Sequence, residues 1–290
     1  MSNAVTTKTP GATEPTSAYE RSVNAYRADP AMRAFLEKNY LDEDLGDAVA
    51  CYSASQEFQR IRALLQRYLH AGSPIADLGS GRGLTSLAIA QSGLPVVSVE
   101  SDGSNVSGTG ALSAYLKAHR TSLAPIRGDI LNLPFPDNSF HAVFCRSVLH
   151  HLPDLDRGLG EIWRVLKPGG IFLAVNEHIL SVFSDGSRFM AAHPAVAYGV
   201  DERAYPTWKY WWKFRKAGFR RVRVSGGPVL EYDDFLDATK SNTLRSPLVE
   251  LPLAGRAFAK MFYMMHLVTR THLFVDETKL PAISITGVKP

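Results

Sequence analysis

Short apolar runs alternate with stretches of helical apolar spacing over the middle of this chain, and that alternation predicts an α/β fold. Ile75-Ala76-Asp77-Leu78 reads as a buried strand after Pro74, and Leu84 to Ala90 has the spacing of a helix. Pro95 to Val99, Ala124 to Arg127, His141 to Cys145 and Ile171 to Val175 follow as four further strands. Phe219 to Val224 alternates in character, and Ala282 to Val288 is the last strand. The order of elements predicts a doubly wound sheet with helices on both faces.

The flanks divide the chain further. Residues 1–17, rich in Thr, Pro, Ser and Ala, predict a disordered tail. Residues 18–70 predict an N-terminal helical lid, with Ser53 and Gln56 as a capping box ahead of a face formed by Phe58, Ile61, Leu64, Leu65 and Tyr68. Tyr19, Tyr26, Tyr40 and Tyr52 fall in this lid. Residues 71–228 form the core, 229–281 an insert with a helix-like stretch from Ala254 to Thr269, and 282–290 the closing strand. Gly108 and Gly110 predict a poor first half for the helix between Ser104 and His119. Trp208, Trp211 and Trp212 recur at helical spacing, with Lys209, Lys213 and Lys216 on another face.

The first strand runs into Asp77-Leu78-Gly79-Ser80-Gly81-Arg82-Gly83. Gly79, Gly81 and Gly83 admit backbone angles closed to other residues and let a ligand lie against the main chain. A dinucleotide turn needs G-x-G-x-x-G, and position 84 is Leu, so the turn points away from NAD. Glu100 closes the second strand, where a carboxylate accepts ribose hydroxyl protons. Asp129 follows the third, placed to accept from an adenine amino group.

These residues, with Gly128-Asp129-Ile130-Leu131-Asn132-Leu133-Pro134-Phe135, Ser147-Val148-Leu149-His150-His151-Leu152 and Leu166-Lys167-Pro168-Gly169-Gly170, resemble the core of a class I S-adenosylmethionine-dependent methyltransferase of the small-molecule type. The resemblance runs from about Ile75 to Val175 and implies a Rossmann-like, seven-stranded, mostly parallel sheet with an antiparallel last strand. It implies that Asp77, Gly79, Gly81 and Gly83 surround the methionine end of S-adenosylmethionine, that Glu100 holds the ribose, and that Asp129 and Ile130 hold adenine. Ser101 stands where such proteins often carry a bulky apolar residue against adenine, so Leu131 or Leu133 is expected to supply packing. Ser101 and Arg146 complete the set of cofactor candidates, and the expected product is S-adenosylhomocysteine.

Methyl transfer from a sulfonium is an in-line displacement, so the protein has to align the reactants and exclude water. A hydroxyl acceptor adds the need for a base. His150 and His151 after the fourth strand, and Glu177 and His178 after the fifth, are the candidates. Glu177-His178, His193-Pro194, Tyr198-Gly199 and Ala204-Tyr205 also resemble a group of bacterial class I methyltransferases of glycan and secondary-metabolite pathways. That likeness makes His193 and Tyr198 candidate acceptor contacts. His150-His151-x-x-Asp154 is expected to hold no metal, because adjacent histidines project differently.

Composition suits a globular enzyme: 45% of the 290 residues are hydrophobic. No window approaches the roughly 18 apolar residues of a membrane span. The polar N-terminus lacks a secretory pattern, so a cytoplasmic location is expected. Cys51 and Cys145 are expected to be ordinary thiols. The net charge of +4 is concentrated between Lys209 and Arg223, a run that attracts anionic partners. No nucleic-acid module accompanies it, which argues against RNA. Cys145-Arg146-Ser147-Val148 replaces the Asn/Asp-Pro-Pro-aromatic motif of base-modifying relatives, which argues against DNA. Phe258, Met261, Phe262 and Met265 offer a roof for an apolar substrate or a homodimer contact. The expected function is methyl transfer to a small-molecule acceptor oxygen. The alternatives are a cofactor-binding partner protein without catalysis, and an RNA methyltransferase.

Overall fold

The computed structural model describes residues 17–41, 44–69, 73–119, 121, 123, 125–226 and 282–290. Strand β1 (Ile75–Leu78) lies at the centre, parallel to β2 (Val96–Glu100) on one side and to β4 (Phe140–Arg146) on the other. β2 pairs with the short β3 (Pro125–Arg127), and β4 with the long β5 (Leu166–Leu180). β8 (Ala282–Val288) lies antiparallel between β5 and β7 (Arg220–Gly226), so the order is β3-β2-β1-β4-β5-β8-β7. A two-residue strand, β6 (Tyr205–Pro206), adds to the far end of β5. The sheet is Rossmann-like and doubly wound, with one antiparallel strand within it.

Period-two alternation places successive strand residues in two separate cores. Ile75, Ala142, Phe144 and Leu173 pack with α3 (Leu45–Ala54), α4 (Gln56–Tyr68), α5 (Leu84–Gln91) and α6 (Thr109–His119). Ala76, Val143, Cys145 and Phe172 pack with α7 (Leu155–Val165) and α9 (Thr207–Lys216). Because both faces are covered, the central strands are mostly apolar instead of alternating regularly with polar residues, and most of their polar side chains lie toward the C-terminal ends. Each fully buried Leu, Ile or Phe here contributes roughly 1.5–3 kcal/mol of transfer free energy.

Several expectations shift in detail. The N-terminal helical segment divides: α3 and α4 belong to the sheet's core, and only α1 (Ala18–Ala28) and α2 (Arg33–Asn39) wall the cavity described below. The cap of α4 is Ser55, whose hydroxyl accepts from Phe58 N–H at 3.1 Å; Ser53 lies inside α3. Helix α6 begins only at Thr109, in keeping with the expected poor first half, and Gly108 packs so closely that a Cβ there would fall 2.3 Å from the Asp102 carbonyl oxygen. The buried face of α9 carries Tyr210 and Phe214, whereas Trp208 and Trp212 are exposed. Lys213 and Lys216 both reach Asp156 of α7 at 2.8 Å, so part of the basic run is neutralised by a residue distant in sequence. Residues 1–16 of the expected tail, the insert and its proposed dimer contact lie outside the described residues, whereas Ser17 caps α1. Among the described residues, no helix is long and apolar enough to cross a membrane.

Candidate active site

The C-terminal ends of β1, β2, β4 and β5 open on one cavity of about 1000 Å³. Tyr19 and Tyr26 from α1, and Tyr40 after α2, wall it from above, while Tyr52 is wholly buried in the core and takes no part. A concave site at this rim is where open α/β sheets bind ligands.

One end of the cavity is built from the glycine turn. Gly79 and Gly81 line it with φ of 65° and 54°, the left-handed region that favours glycine. A Cβ on Gly79 would meet Val148 Cγ2 at 2.6 Å, so the turn packs directly under the β4 loop. Gly83 departs from its expected role: it does not line the cavity, and its missing side chain makes room for Leu112, whose Cδ1 would sit 2.6 Å from a Cβ.

Asp77 accepts from Ser86 Oγ at 2.6 Å, and burial pushes its carboxyl up to about 7. Glu100 accepts from Gly81 N–H and from Asp102 N–H, each at 2.8 Å, on different oxygens. Burial raises its pKa, and the two backbone donors oppose that rise. Ser101 Oγ also donates to the oxygen that Asp102 holds, at 3.3 Å, and the oxygen that Gly81 holds keeps lone-pair capacity for a hydroxyl donor. Ser101, Asp129, Ile130 and Arg146 also line the cavity. Arg146 is held by Glu57 of α4 at 2.8 Å, with its guanidinium over the rings of Tyr40 and Tyr52.

The other end is made of imidazoles and carboxylates. His150 and His151 sit on a single 3₁₀ turn after β4, and His178 near the end of β5. His193 precedes a second 3₁₀ turn, and all four line the cavity. Ser147 and Asn176, both at φ 57°, mark the ends where β4 and β5 leave their ladder, and Asn176 Nδ2 donates to Ser147 Oγ at 2.6 Å. Non-glycine residues in this region store strain that surrounding structure must hold.

Glu177 is the clearest departure from expectation. It is fully buried and does not line the cavity, so it is no candidate to touch an acceptor. Its carboxylate accepts from Val148 N–H at 3.1 Å, His150 N–H at 3.2 Å and His150 Nδ1 at 2.8 Å. Burial raises Glu177 to about 7, and burial followed by the neighbouring His151 and His193 holds His150 well below its ordinary range. Donation from Nδ1 to Glu177 leaves Nε2 of His150 with the lone pair, the arrangement in which a carboxylate orients an imidazole base. Tyr198 likewise stays off the cavity wall and sets its ring edge-on to Tyr26, with centroids 6.1 Å apart.

Glu202 is the residue that sequence reasoning missed. It is 4% exposed and lies 3.4 Å from His193 Nδ1, 3.7 Å from His150 Nε2 and 3.8 Å from His151 Nδ1. Burial first, then the nearby Glu177 and Asp201, raises it to about 8. Arg203 N–H donates to the His150 carbonyl at 2.7 Å, which ties this return of the chain to the β4 loop. Asp102 was missed too: it accepts from Ser17, Ser104 and Ser107, and so anchors the start of α1 over the cavity.

A cavity of about 1000 Å³ at the C-terminal strand ends of a doubly wound sheet, with a glycine turn and two strand-end acids, is the site of an open α/β protein. Residues 76–174 match the family model described as a methyltransferase domain, and this segment is a class I S-adenosylmethionine-dependent methyltransferase domain. The chain is 29% identical over 158 residues to a sterol 24-C-methyltransferase of Yarrowia lipolytica, covering 52% of this chain and 40% of that one. It is 28% identical over 137 residues to a malonyl-acyl-carrier-protein O-methyltransferase of Pectobacterium atrosepticum, covering 46% and 51%. The matches thus span about half or less of these relatives. Among solved structures it is similar in fold to a sarcosine dimethylglycine methyltransferase of Galdieria sulphuraria, with TM-score 0.54, 16% identity and coverage of 80% of this chain and 84% of that one.

The residues present fit the cofactor. Gly79 and Gly81 leave main chain bare at the cavity wall, and Glu100 and Asp129 bring carboxylate acceptors to the same cavity, the donor-accepting chemistry that hydroxyl and amino groups of a nucleoside require.

Proposed function

We propose that the chain catalyses methyl transfer from S-adenosylmethionine to an oxygen of a small-molecule acceptor of natural-product or glycan type. The observation that carries this reading is the continuity of one cavity from Gly79, Gly81 and Glu100 to His150, His178 and His193. When bound, S-adenosylmethionine supplies an electrophilic methyl group on a sulfonium whose departure leaves a neutral thioether.

The chain's own residues then have three tasks. Asp77, the glycine turn and Glu100 fix one reactant, with Asp129, Ile130, Ser101 and Arg146 bounding the rest of that end. Tyr19, Tyr26 and Tyr40 exclude water from above. His150 takes up the acceptor's hydroxyl proton at Nε2, oriented by Glu177 as a positioning residue, while His178, His151 and His193 line the acceptor's side. At about 1000 Å³ the cavity stands at the upper end of the roughly 300–1,000 Å³ of small-molecule sites, enough for cofactor and acceptor together.

Calorimetry with S-adenosylhomocysteine tests the cofactor end. Wild type binds, and Glu100→Ala weakens binding by about 10–100-fold, as loss of charged hydrogen bonds worth roughly 1.5–3 kcal/mol requires. Unchanged affinity in the variant removes Glu100 from the site. Release of S-adenosylhomocysteine in the presence of a panel of hydroxylated small molecules tests the transfer itself.

A further inference from the structure

The four histidines and Glu202 exceed what a single proton acceptor requires, and their arrangement has its own chemistry. The ligating atoms of His178, His193 and Glu202 all lie within 4.8 Å of one another. His193 and Glu202 are 7% and 4% exposed, and among the described residues neither His193 Nδ1 nor Glu202 Oε2 has a hydrogen-bond partner. His193 Nδ1 stands 3.4 Å from Glu202 Oε1 without hydrogen-bond geometry. Two ligand atoms each about 2.0–2.1 Å from a tetrahedral centre are separated by about 3.4 Å, so this spacing is that of two donors sharing one ion. Buried polar atoms left unpaired are costly, and a bound cation removes that cost.

We infer that His178, His193 and Glu202 form a three-ligand site for a divalent transition-metal ion of the zinc or ferrous class. Two imidazoles and one carboxylate suit those ions, whereas magnesium and calcium require oxygen sets. In the neighbouring trio of His150, His151 and Glu202, the His151 Nδ1 that approaches Glu202 is instead engaged by the Asp201 carbonyl at 2.9 Å, so that trio is less suited. The surroundings hold the chosen ligands in place. Phe189 packs on the rings of both His178 and His193, with centroids 5.3 and 5.4 Å away, and Tyr210 Oη donates to the His178 carbonyl at 3.1 Å. The three ligands face the cavity, which gives an ion its way in and leaves coordination positions open to an acceptor oxygen. An acceptor hydroxyl on the ion is acidified beside His150. That last role rests on the methyl-transfer reading; the binding of metal does not.

The test uses the 290-residue chain stripped with chelator and titrated with Zn²⁺ by calorimetry. One ion per chain is expected, and X-ray absorption at the zinc edge is expected to show scattering from two imidazoles. Glu202→Gln and His193→Ala each weaken binding by at least the roughly tenfold that loss of even an outer partner costs. His119→Ala, at the exposed end of α6, leaves binding unchanged. Absence of uptake by wild type, a spectrum without imidazole scattering, or unchanged uptake in both ligand variants overturns the site. If His193→Ala fails to fold, Glu202→Gln and the wild-type spectrum decide. S-adenosylhomocysteine titrations on the same samples separate the two readings. Cofactor binding without zinc sinks the metal site alone, and zinc without cofactor binding sinks the methyl-transfer reading alone.

Discussion

Within the glycine turn and its strand-end acid, contacts join residues close along the chain: Ser86 reaches Asp77 nine positions away, and Gly81 reaches Glu100 nineteen away, while Arg146 at the rim of this end is held by the distant Glu57. At the histidine end, His150 meets Glu177 across twenty-seven positions, and Glu202 draws together side chains from two other segments, the His150–His151 turn and His193. The first end is a local strand-turn-helix device followed by one parallel neighbour. The second exists only when β4 and β5 are in register and the chain returns over them. Backbone shape dominates the first and side-chain convergence the second, so the two ends fail in different ways.

The largest expected effect divides them by function. His150→Gln lowers methyl-transfer turnover by about 10²–10⁴-fold, the usual contribution of a positioned base, while S-adenosylhomocysteine affinity stays within about twofold. Glu177→Gln gives a smaller fall in the same parameter. A parallel loss of cofactor affinity in His150→Gln would erase the division between the two ends.

Stability is the next measure. Gly79→Ala combines φ of 65° with a Cβ placed 2.6 Å from Val148 Cγ2, so urea unfolding is expected to report a loss of about 1–3 kcal/mol. Gly81→Ala, whose nearest neighbour would be the Ser107 carbonyl at 3.3 Å, costs less. Equal stability of Gly79→Ala and wild type would show that the turn does not need its glycine.

The smallest effect is read with pH. Burial raises Asp77 from 3.8 to about 7 in the folded chain. The folded state therefore binds this proton more tightly than the unfolded one, and the resulting stabilisation is present at low pH and declines as pH rises from 3.8 to about 7. The melting temperature of the ligand-free wild type, relative to Asp77→Asn, is expected to fall across that window and level off above it. A difference that stays flat with pH would mean that Asp77 is not desolvated.

The same contrast explains what could be read without coordinates. Apolar runs located the strands of the sheet, because burial on both faces removes polar residues from them. The spacing of Gly79 and Gly81 after Asp77 located the turn, because backbone angles and close approach constrain residue type position by position. Periodicity left the buried face of α9 open, since its tryptophans and its Tyr210 and Phe214 each recur at helical spacing, and the packed sheet chose Tyr210 and Phe214. It placed the cap of α4 at Ser53, because two serines two residues apart offer the same hydroxyl and the break between α3 and α4 selects Ser55.

Local order along the chain thus determined the fold class, the cofactor turn and the strand-end positions of Glu100, Asp129, His150 and His178, since each follows from a strand's direction and end. Only tertiary structure decided that Glu177 points inward beneath His150, that Gly83 serves Leu112, and that Glu202 joins His150 and His193. Those outcomes depend on which distant segments meet. Glutamate carries no local signature of being buried, because its burial is set by partners that the pattern around it does not encode.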